Sequence, residues 1–413
     1  MKALQVDRKL ARIGLARMAS AISPAAAAKF GPLSLVSVDP PSSLGEGWHT
    51  VRTRLSGICG SDLSTIEGHA STYFDDFVSF PFTPGHEVVG ELVDGTRVAI
   101  EPVLGHAARG YPLPFEGAVA GDGDDYAHLT LGPLEAGIQT GFCHSTGGGW
   151  STFFQAHSSQ LHVVPEALSD EAAVLIEPAA GGIHTALMCW PAVADVERPV
   201  IAVLGAGTMG LCAIAGIRRY IPNAHIIVGG RYAHQRDFAR SFGADEVVEP
   251  KELARAVRRT VGCHVIGDYL SGGAHVTIDA VGNSGSIASC LQITKPRGTV
   301  IMMGMPAEVT VDLTGLWHRE TRISGSYTYG TETMPDGATA RTFHLAIEMV
   351  EDFDMGRLVS ACYPLDDYED AIAHAAGAGR RGAVKVVFDL RDADRRREPK
   401  PESSDPDRKT EKH

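Results

Sequence analysis

Residues Val200 to Gly210 read Val-Ile-Ala-Val-Leu-Gly-Ala-Gly-Thr-Met-Gly, and a run of small and apolar residues continues to about Tyr220. Five consecutive apolar residues fit a buried strand, and the stretch that follows fits a helix from Met209 to Tyr220. Between them the glycines divide the labour of a tight junction. Gly205 permits the turn, Gly207 lets the backbone approach a pyrophosphate, and Gly210 lets the helix pack on the sheet, with the helix N-terminus facing the phosphate charge. Gly-x-Gly-x-x-Gly alone also occurs as an ordinary turn, but the strand before it and the helix after it are what a dinucleotide fingerprint requires. Ala224–Val228, His275–Ala280 and Gly298–Met303 read as further buried strands between helical stretches. That alternation predicts an α/β unit with a doubly wound parallel sheet.

The end of the second strand bears on which dinucleotide fits. An NAD enzyme usually carries an acid there, about 20 residues past the fingerprint, to hold the ribose 2′-hydroxyl. Here Ile227-Val-Gly-Gly-Arg231 places Gly230 at that position and a guanidinium beside it. Removing the carboxylate removes repulsion against a 2′-phosphate, and Arg231 can grip that phosphate through two parallel hydrogen bonds, with His234 and Arg236 assisting. NADP(H) is therefore favoured over NAD(H). The plainer alternative is that Arg231 is a solvated loop cation.

With 413 residues the chain is too long for a single core, so two domains are expected. Residues 1–165 read as short strands between Gly/Pro-rich turns, for example Trp48–Leu55, Glu87–Val93 and Gly95–Val103. The nucleotide-binding unit covers 166–313, and strand-and-turn texture returns over 314–390, ending in Ala383–Phe388. Residues 391–413 are almost entirely charged, Pro or Ser, a composition that predicts disorder. The formal net charge of −13 repels nucleic acid and anionic membrane surfaces, and neither is expected as a partner. Seven scattered cysteines without a Cys-x-x-Cys pair argue against a disulfide framework. Charges interrupt the N-terminal apolar stretches, and no later run approaches the roughly 20 residues of a membrane span, so a cytoplasmic location is expected.

Three further segments carry ligand chemistry: Gly57-Ile-Cys-Gly-Ser-Asp62, Gly85-His-Glu-Val-Val-Gly90 and Val174-Leu-Ile-Glu-Pro178. A thiolate, an imidazole and one or two carboxylates form a suitable set for a catalytic zinc with one position left open. Each has a bland reading by itself, since a lone Cys is commonly core filler. In this order, ahead of the glycine fingerprint, the segments resemble those of the zinc-dependent medium-chain dehydrogenase/reductase superfamily, which includes alcohol, sorbitol and threonine dehydrogenases. The resemblance covers about residues 30–390. It implies a GroES-like, β-rich catalytic domain combined with a Rossmann domain, one catalytic Zn2+ per chain, and hydride transfer between the nicotinamide and a small alcohol, polyol, aldehyde or ketone.

By that resemblance Cys59 and His86 match the two invariant zinc ligands. Glu87 and Glu177 match the carboxylates that supply or exchange the remaining protein ligand. Asp62 matches the carboxylate that orients the ligating histidine. Ser61 matches the hydroxyl that passes the substrate proton, whereas the histidine that often continues the relay is Ser64 here. The stretch Gly105–Asp125, where relatives commonly carry four cysteines on a structural zinc, has none and offers His106, Glu116, Asp122, Asp124 and Asp125; this lobe is expected to be metal-free. Thr146-Gly-Gly-Gly-Trp-Ser151 resembles the segment that re-enters the catalytic domain. Tyr73, Phe74 and Phe77 either face the pocket or fill the core. Relatives usually pair through the Rossmann sheet edge, so a homodimer or homotetramer is expected. Two other readings are open: a zinc-free quinone or double-bond reductase of the same superfamily, and a non-catalytic NADP(H)-binding sensor.

Overall fold

A computed structural model describes residues 1–20 and 23–391. All but the first residue of the charged C-terminal stretch lies outside the described residues. Arg391 itself is held by Asp389 and Glu171.

The strand Val200–Leu204 sits at the centre of a six-stranded sheet. The order across it is Glu246–Val248, His225–Gly229, Val200–Leu204, Ala274–Asp279, Thr294–Met302 and Arg322–Gly325, and every neighbouring pair is parallel. The chain leaves the central strand in one direction and later returns to its other side. This opens a crevice at the strand ends between Leu204 and Asp279, where doubly wound sheets bind their ligands. The sheet extends to Gly325, past residue 313 where the sequence texture changes. Arg322–Gly325 looks unlike the other strands because it is the sheet's edge and only half-buried.

Helices cover both faces. Thr208–Tyr220 packs against Ile176–Cys189 through facing glycines: a Cβ at Gly182 would lie 2.5 Å from the Cys212 carbonyl carbon, and one at Gly216 would lie 2.9 Å from the Gly182 oxygen. Burial of Ile183, Ala186, Leu211, Ile214 and Ile217 along this seam makes the two helices part of the largest hydrophobic cluster.

The second sheet has seven strands around Trp48–Gly57, which pairs antiparallel with Val88–Glu91, Phe153–His157 and, from the far end of the chain, Lys385–Asp389. Residues on either side of the nucleotide-binding unit therefore share one sheet, with Phe388 opposite Ser56. The N-terminal stretch departs from the strand-only expectation. Leu10–Ser20 and Pro24–Phe30 are helices inserted between the paired strands Lys2–Val6 and Leu33–Ser37. In Leu10–Ser20 the buried residues are Ala16 and Ala19, too small to produce a strong apolar period. Among the described residues no helix is long and apolar enough to cross a membrane.

In the lobe without cysteines a guanidinium forms the cross-link. Arg109 is buried, and its Nη atoms donate to the carbonyls of Leu131, Glu135 and Gly137 at 3.3, 3.1 and 2.7 Å. It holds the loop over its own segment by fixed, planar geometry.

Candidate active site

Cys59 lies where Trp48–Gly57 gives way to the helix Gly60–Ile66, and its backbone N–H donates to Asp62 Oδ2 at 2.9 Å. The short turn thereby fixes thiol and carboxylate relative to each other. His86 and Glu87 immediately precede the strand Val88–Glu91. Antiparallel pairing of that strand with Trp48–Gly57 brings both residues back beside Cys59. A ligating atom of each of Cys59, His86 and Glu87 lies within 4.8 Å of the other two.

The surroundings are poor in compensating charge. Asp62, His86 and Glu87 are almost fully buried. His86 Nδ1 and Asp62 Oδ1 face each other at 3.6 Å, and neither has a hydrogen-bond partner. With Nδ1 turned to Asp62, the other ring nitrogen is left toward Cys59. Burial opposes a charge on His86, but Asp62, Cys59 and Glu177 outweigh it and hold the imidazole well above its usual value. Burial pushes Asp62 up to about 6, against the pull of His86. Glu177, in the first turn of Ile176–Cys189, is pushed up to about 7 by burial, and Glu87 adds repulsion to that. Two buried carboxylates, the part-buried Glu177 and a thiol thus share one lysine and one imidazole. The donors fit a divalent cation both in kind and in missing positive charge.

That lysine is Lys385, which reaches in from the returning strand and donates to Glu87 Oε1 and Oε2 at 2.7 and 2.6 Å. Glu177 Oε1 accepts from Tyr329 Oη at 2.9 Å. The two candidate third ligands are therefore unequal in different ways. Glu87 belongs to the close group but already carries a buried cation, while Glu177 lies outside that group with one hydrogen bond. Ser61 is part-buried on the helix that bears Asp62, and its backbone carbonyl accepts from Thr65.

At the nucleotide crevice Gly205 has φ +104°, in the region that favours glycine, and its N–H donates to the Gly229 carbonyl. A Cβ on Gly210 would lie 2.2 Å from the Gly205 oxygen, whereas one on Gly207 would meet nothing within 4 Å. The fold itself therefore needs glycine at 205 and 210, while the bare backbone at 207 leaves room for a pyrophosphate. Gly230 borders the Arg236 stem, and Arg231 is exposed with its guanidinium 5.6 Å from the Tyr232 ring. The two expected helpers are engaged elsewhere: Arg236 Nη1 donates to the carbonyls of Gly230 and Arg231, and His234 Nε2 bonds the Ala383 carbonyl. Thr208 Oγ1, at the start of the fingerprint helix, donates to the Val384 carbonyl beside Lys385. The cofactor turn and the buried cluster are thus joined through one strand.

Tyr73, Phe74 and Phe77 line a cavity of about 230 Å³ together with Tyr126 and Tyr327. Sequence reasoning did not assign roles to Lys385, Tyr329 or Tyr327. A signal existed for Lys385, a single cation inside the apolar run Ala383–Phe388. The two tyrosines carry none.

Two family models match in chain order. An alcohol dehydrogenase GroES-like domain covers residues 45–166, and a zinc-binding dehydrogenase model covers 208–343. The chain is 23% identical over 363 residues to L-threonine 3-dehydrogenase of Shewanella putrefaciens, covering 85% of this chain and 95% of that one. Its fold is similar to that of 2R,3R-butanediol dehydrogenase from Bacillus subtilis, with TM-score 0.65, 18% identity and coverage of 94% and 99%. A zinc-binding dehydrogenase structure from Sinorhizobium meliloti bound to NADP gives TM-score 0.64 at 20% identity, again covering 94% and 99%. With both of its units matched and in the right order, this chain belongs to the zinc-type medium-chain dehydrogenase/reductase superfamily.

Proposed function

We propose that the protein is a zinc-assisted, nicotinamide-dependent alcohol dehydrogenase or carbonyl reductase acting on a small soluble substrate. The observation that carries this reading is the convergence of Cys59, His86 and Glu87 within 4.8 Å, backed by the unpartnered Oδ1 of Asp62 facing His86 and tied to the fingerprint helix through Thr208. Cys59 and His86 would hold the metal. Glu177 would complete the set, and Glu87, balanced by Lys385, would exchange with it or tune its charge. When bound, the zinc supplies Lewis acidity that favours loss of the alcohol proton or polarises the carbonyl. Asp62 keeps His86 in one tautomer and orientation. Ser61 Oγ takes the hydroxyl proton toward solvent. A nicotinamide held in the crevice would supply the two-electron hydride acceptor, and with the hydroxyl proton leaving separately the oxidation to a carbonyl would balance.

NADP(H) is the preferred cofactor in this reading because Gly230 offers no acid and Arg231 offers a free fork. An Arg–phosphate bond is worth about 1.5–3 kcal/mol, so Arg231→Ala should weaken NADPH roughly 10- to 100-fold and leave NADH nearly unchanged. Pairing of two copies along the unpaired edge of Arg322–Gly325 is the assembly we propose.

The test is turnover of a panel of alcohols and carbonyls followed by nicotinamide absorbance, with and without a strong chelator. Loss of activity on chelation and recovery with zinc support the reading. Turnover that survives complete demetallation points to a zinc-free reductase. Silence across the panel with intact cofactor binding points to a sensor.

A further inference from the structure

The lobe held by Arg109 concentrates positive charge without an acid set against it. The guanidinium gives its Nη protons to the carbonyls of Leu131, Glu135 and Gly137, and its Nε is buried without a partner. One turn earlier lies His106, whose carbonyl accepts from the Arg109 N–H at 3.2 Å. The His106 ring stacks on that of His128, with centroids 3.9 Å apart and planes 26° from parallel. His128 is buried and gives its Nδ1 proton to the Asp125 carbonyl at 3.0 Å, while His106 Nδ1 is buried with no partner. A proton added to His128 would therefore set a second cation beside Arg109 in a place with little to compensate it.

The carboxylates of the lobe are engaged or face water. Asp122 accepts from the backbone N–H groups of Val119 and Thr331 and from Thr331 Oγ1, at 2.7–2.8 Å. Asp125 accepts from the Ala127 N–H, and Glu116, Asp124 and Glu135 are exposed. The other titratable neighbours are Tyr111 and Cys143 beside Arg109, and Tyr73, Tyr126 and Tyr327 in the cavity that His128 lines. Tyrosine and cysteine carry no charge on the acid side of neutrality. Burial and then His106 push His128 below its ordinary value, and Arg109 adds to this; the Asp125 carbonyl and carboxylate pull the other way without reversing it.

The lobe also grips the candidate site from outside. A Cβ on Gly121 would lie 1.9 Å from the Tyr329 carbonyl oxygen, so the two chains meet there backbone to backbone. Asp122 fastens Thr331 just beyond, and Tyr329 Oη is the donor that holds Glu177. We propose that the lobe is an acid-operated latch: protonation of His128 loosens it from the stretch Tyr329–Thr331 and so slackens the hold of Tyr329 on Glu177. An opened lobe returns His128 to its ordinary value. The stability of the closed lobe is therefore complete above about pH 6.5 and is lost as pH falls through the lower value of the closed form.

The test is hydrogen exchange of the full-length protein at about pH 7.5 and about pH 5, corrected for the intrinsic pH dependence of exchange. In wild type the N–H groups of Gly137, Ile138 and Thr331 should open about three- to tenfold more readily in acid, while the strand Val200–Leu204 stays level. His128→Asn can replace the Nδ1 donor but takes no proton, and should remove the difference. His106→Phe keeps a stacked ring and should reduce it. Equal protection of the wild-type lobe at the two pH values overturns the latch. So does an acid response in His128→Asn as large as in wild type or, should that variant not fold, a full wild-type response in His106→Phe. Exchange is read without substrate, so failure of the dehydrogenase reading would leave the latch standing.

Discussion

Replacing Arg109 with Met should loosen one lobe and leave the rest of the molecule in place. The guanidinium is fully buried and donates to three backbone carbonyls, those of Leu131, Glu135 and Gly137. Hydrogen bonds from a charged donor contribute about 1.5–3 kcal/mol each. Leu131 and Glu135 are exposed residues whose carbonyls can regain water, whereas Gly137 is buried and keeps most of its loss. Methionine also removes the cost of burying the charge, which returns part of the energy. The balance is a destabilisation of about 2–4 kcal/mol confined to this lobe. Hydrogen exchange is the suitable assay, because a chain of two domains has no single unfolding free energy. The Gly137 N–H, bonded to Leu129, and the Ile138 N–H, bonded to Phe77, should exchange about 30- to 1,000-fold faster, since each 1.4 kcal/mol is a factor of ten. Amides of the strand Val200–Leu204 should not change. Unaltered exchange at 137 and 138 would refute the idea that this arginine holds the lobe together.

Other expectations follow from the same contacts. Lys385→Met leaves Glu87 as an uncompensated buried carboxylate and should cost about 3–5 kcal/mol in urea unfolding, with Glu87→Gln in the same chain restoring most of it; equal instability of the single and double variants would contradict the pairing. For Asp170, burial raises the pKa, but hydrogen bonds and charge from Arg54 and Arg97 outweigh it, so the carboxyl lies below its ordinary value. The stability it contributes is therefore complete above about pH 4 and is lost as pH falls through the lower folded value, whereas Asp170→Asn should flatten the melting temperature over that acid range. Gly207→Val, with nothing of the protein within 4 Å of its Cβ, should keep the melting temperature of the cofactor-free protein and weaken NADPH at least about tenfold. Gly210→Val, aimed at the Gly205 oxygen 2.2 Å away, should unfold more easily with or without cofactor.

The parts legible in the sequence are those whose chemistry is local. Gly205, Gly207 and Gly210 announce themselves because strand, turn and helix entry are contiguous, and the central strand Val200–Leu204 has the span the apolar run predicts. Cys59 with Asp62, and His86 with Glu87, are visible as short motifs. The pairing of Trp48–Gly57 with Val88–Glu91 is what brings them together. What stays hidden depends on contacts between distant segments. Lys385 meets Glu87 only because the last strand crosses back beside Trp48–Gly57. Tyr327 and Tyr329 follow the sheet's edge strand in a stretch with no periodicity. The helices Leu10–Ser20 and Pro24–Phe30 are hard to read in the sequence because Arg12 and Arg17 interrupt the first and its buried residues, Ala16 and Ala19, are too small to register as an apolar face. Arg109 looks like any surface cation until the loop it holds is folded over it.

The central claim is that Cys59 and His86 hold a catalytic metal beside the nicotinamide crevice. Metal analysis of the purified protein, with Cys59→Ser and His86→Ala alongside, tests it most directly. About one zinc per chain in the wild type, lost in both variants while NADPH binding persists, is the predicted result. Metal-free wild-type protein that stays fully active in zinc-supplemented and chelator-treated buffer alike would contradict it.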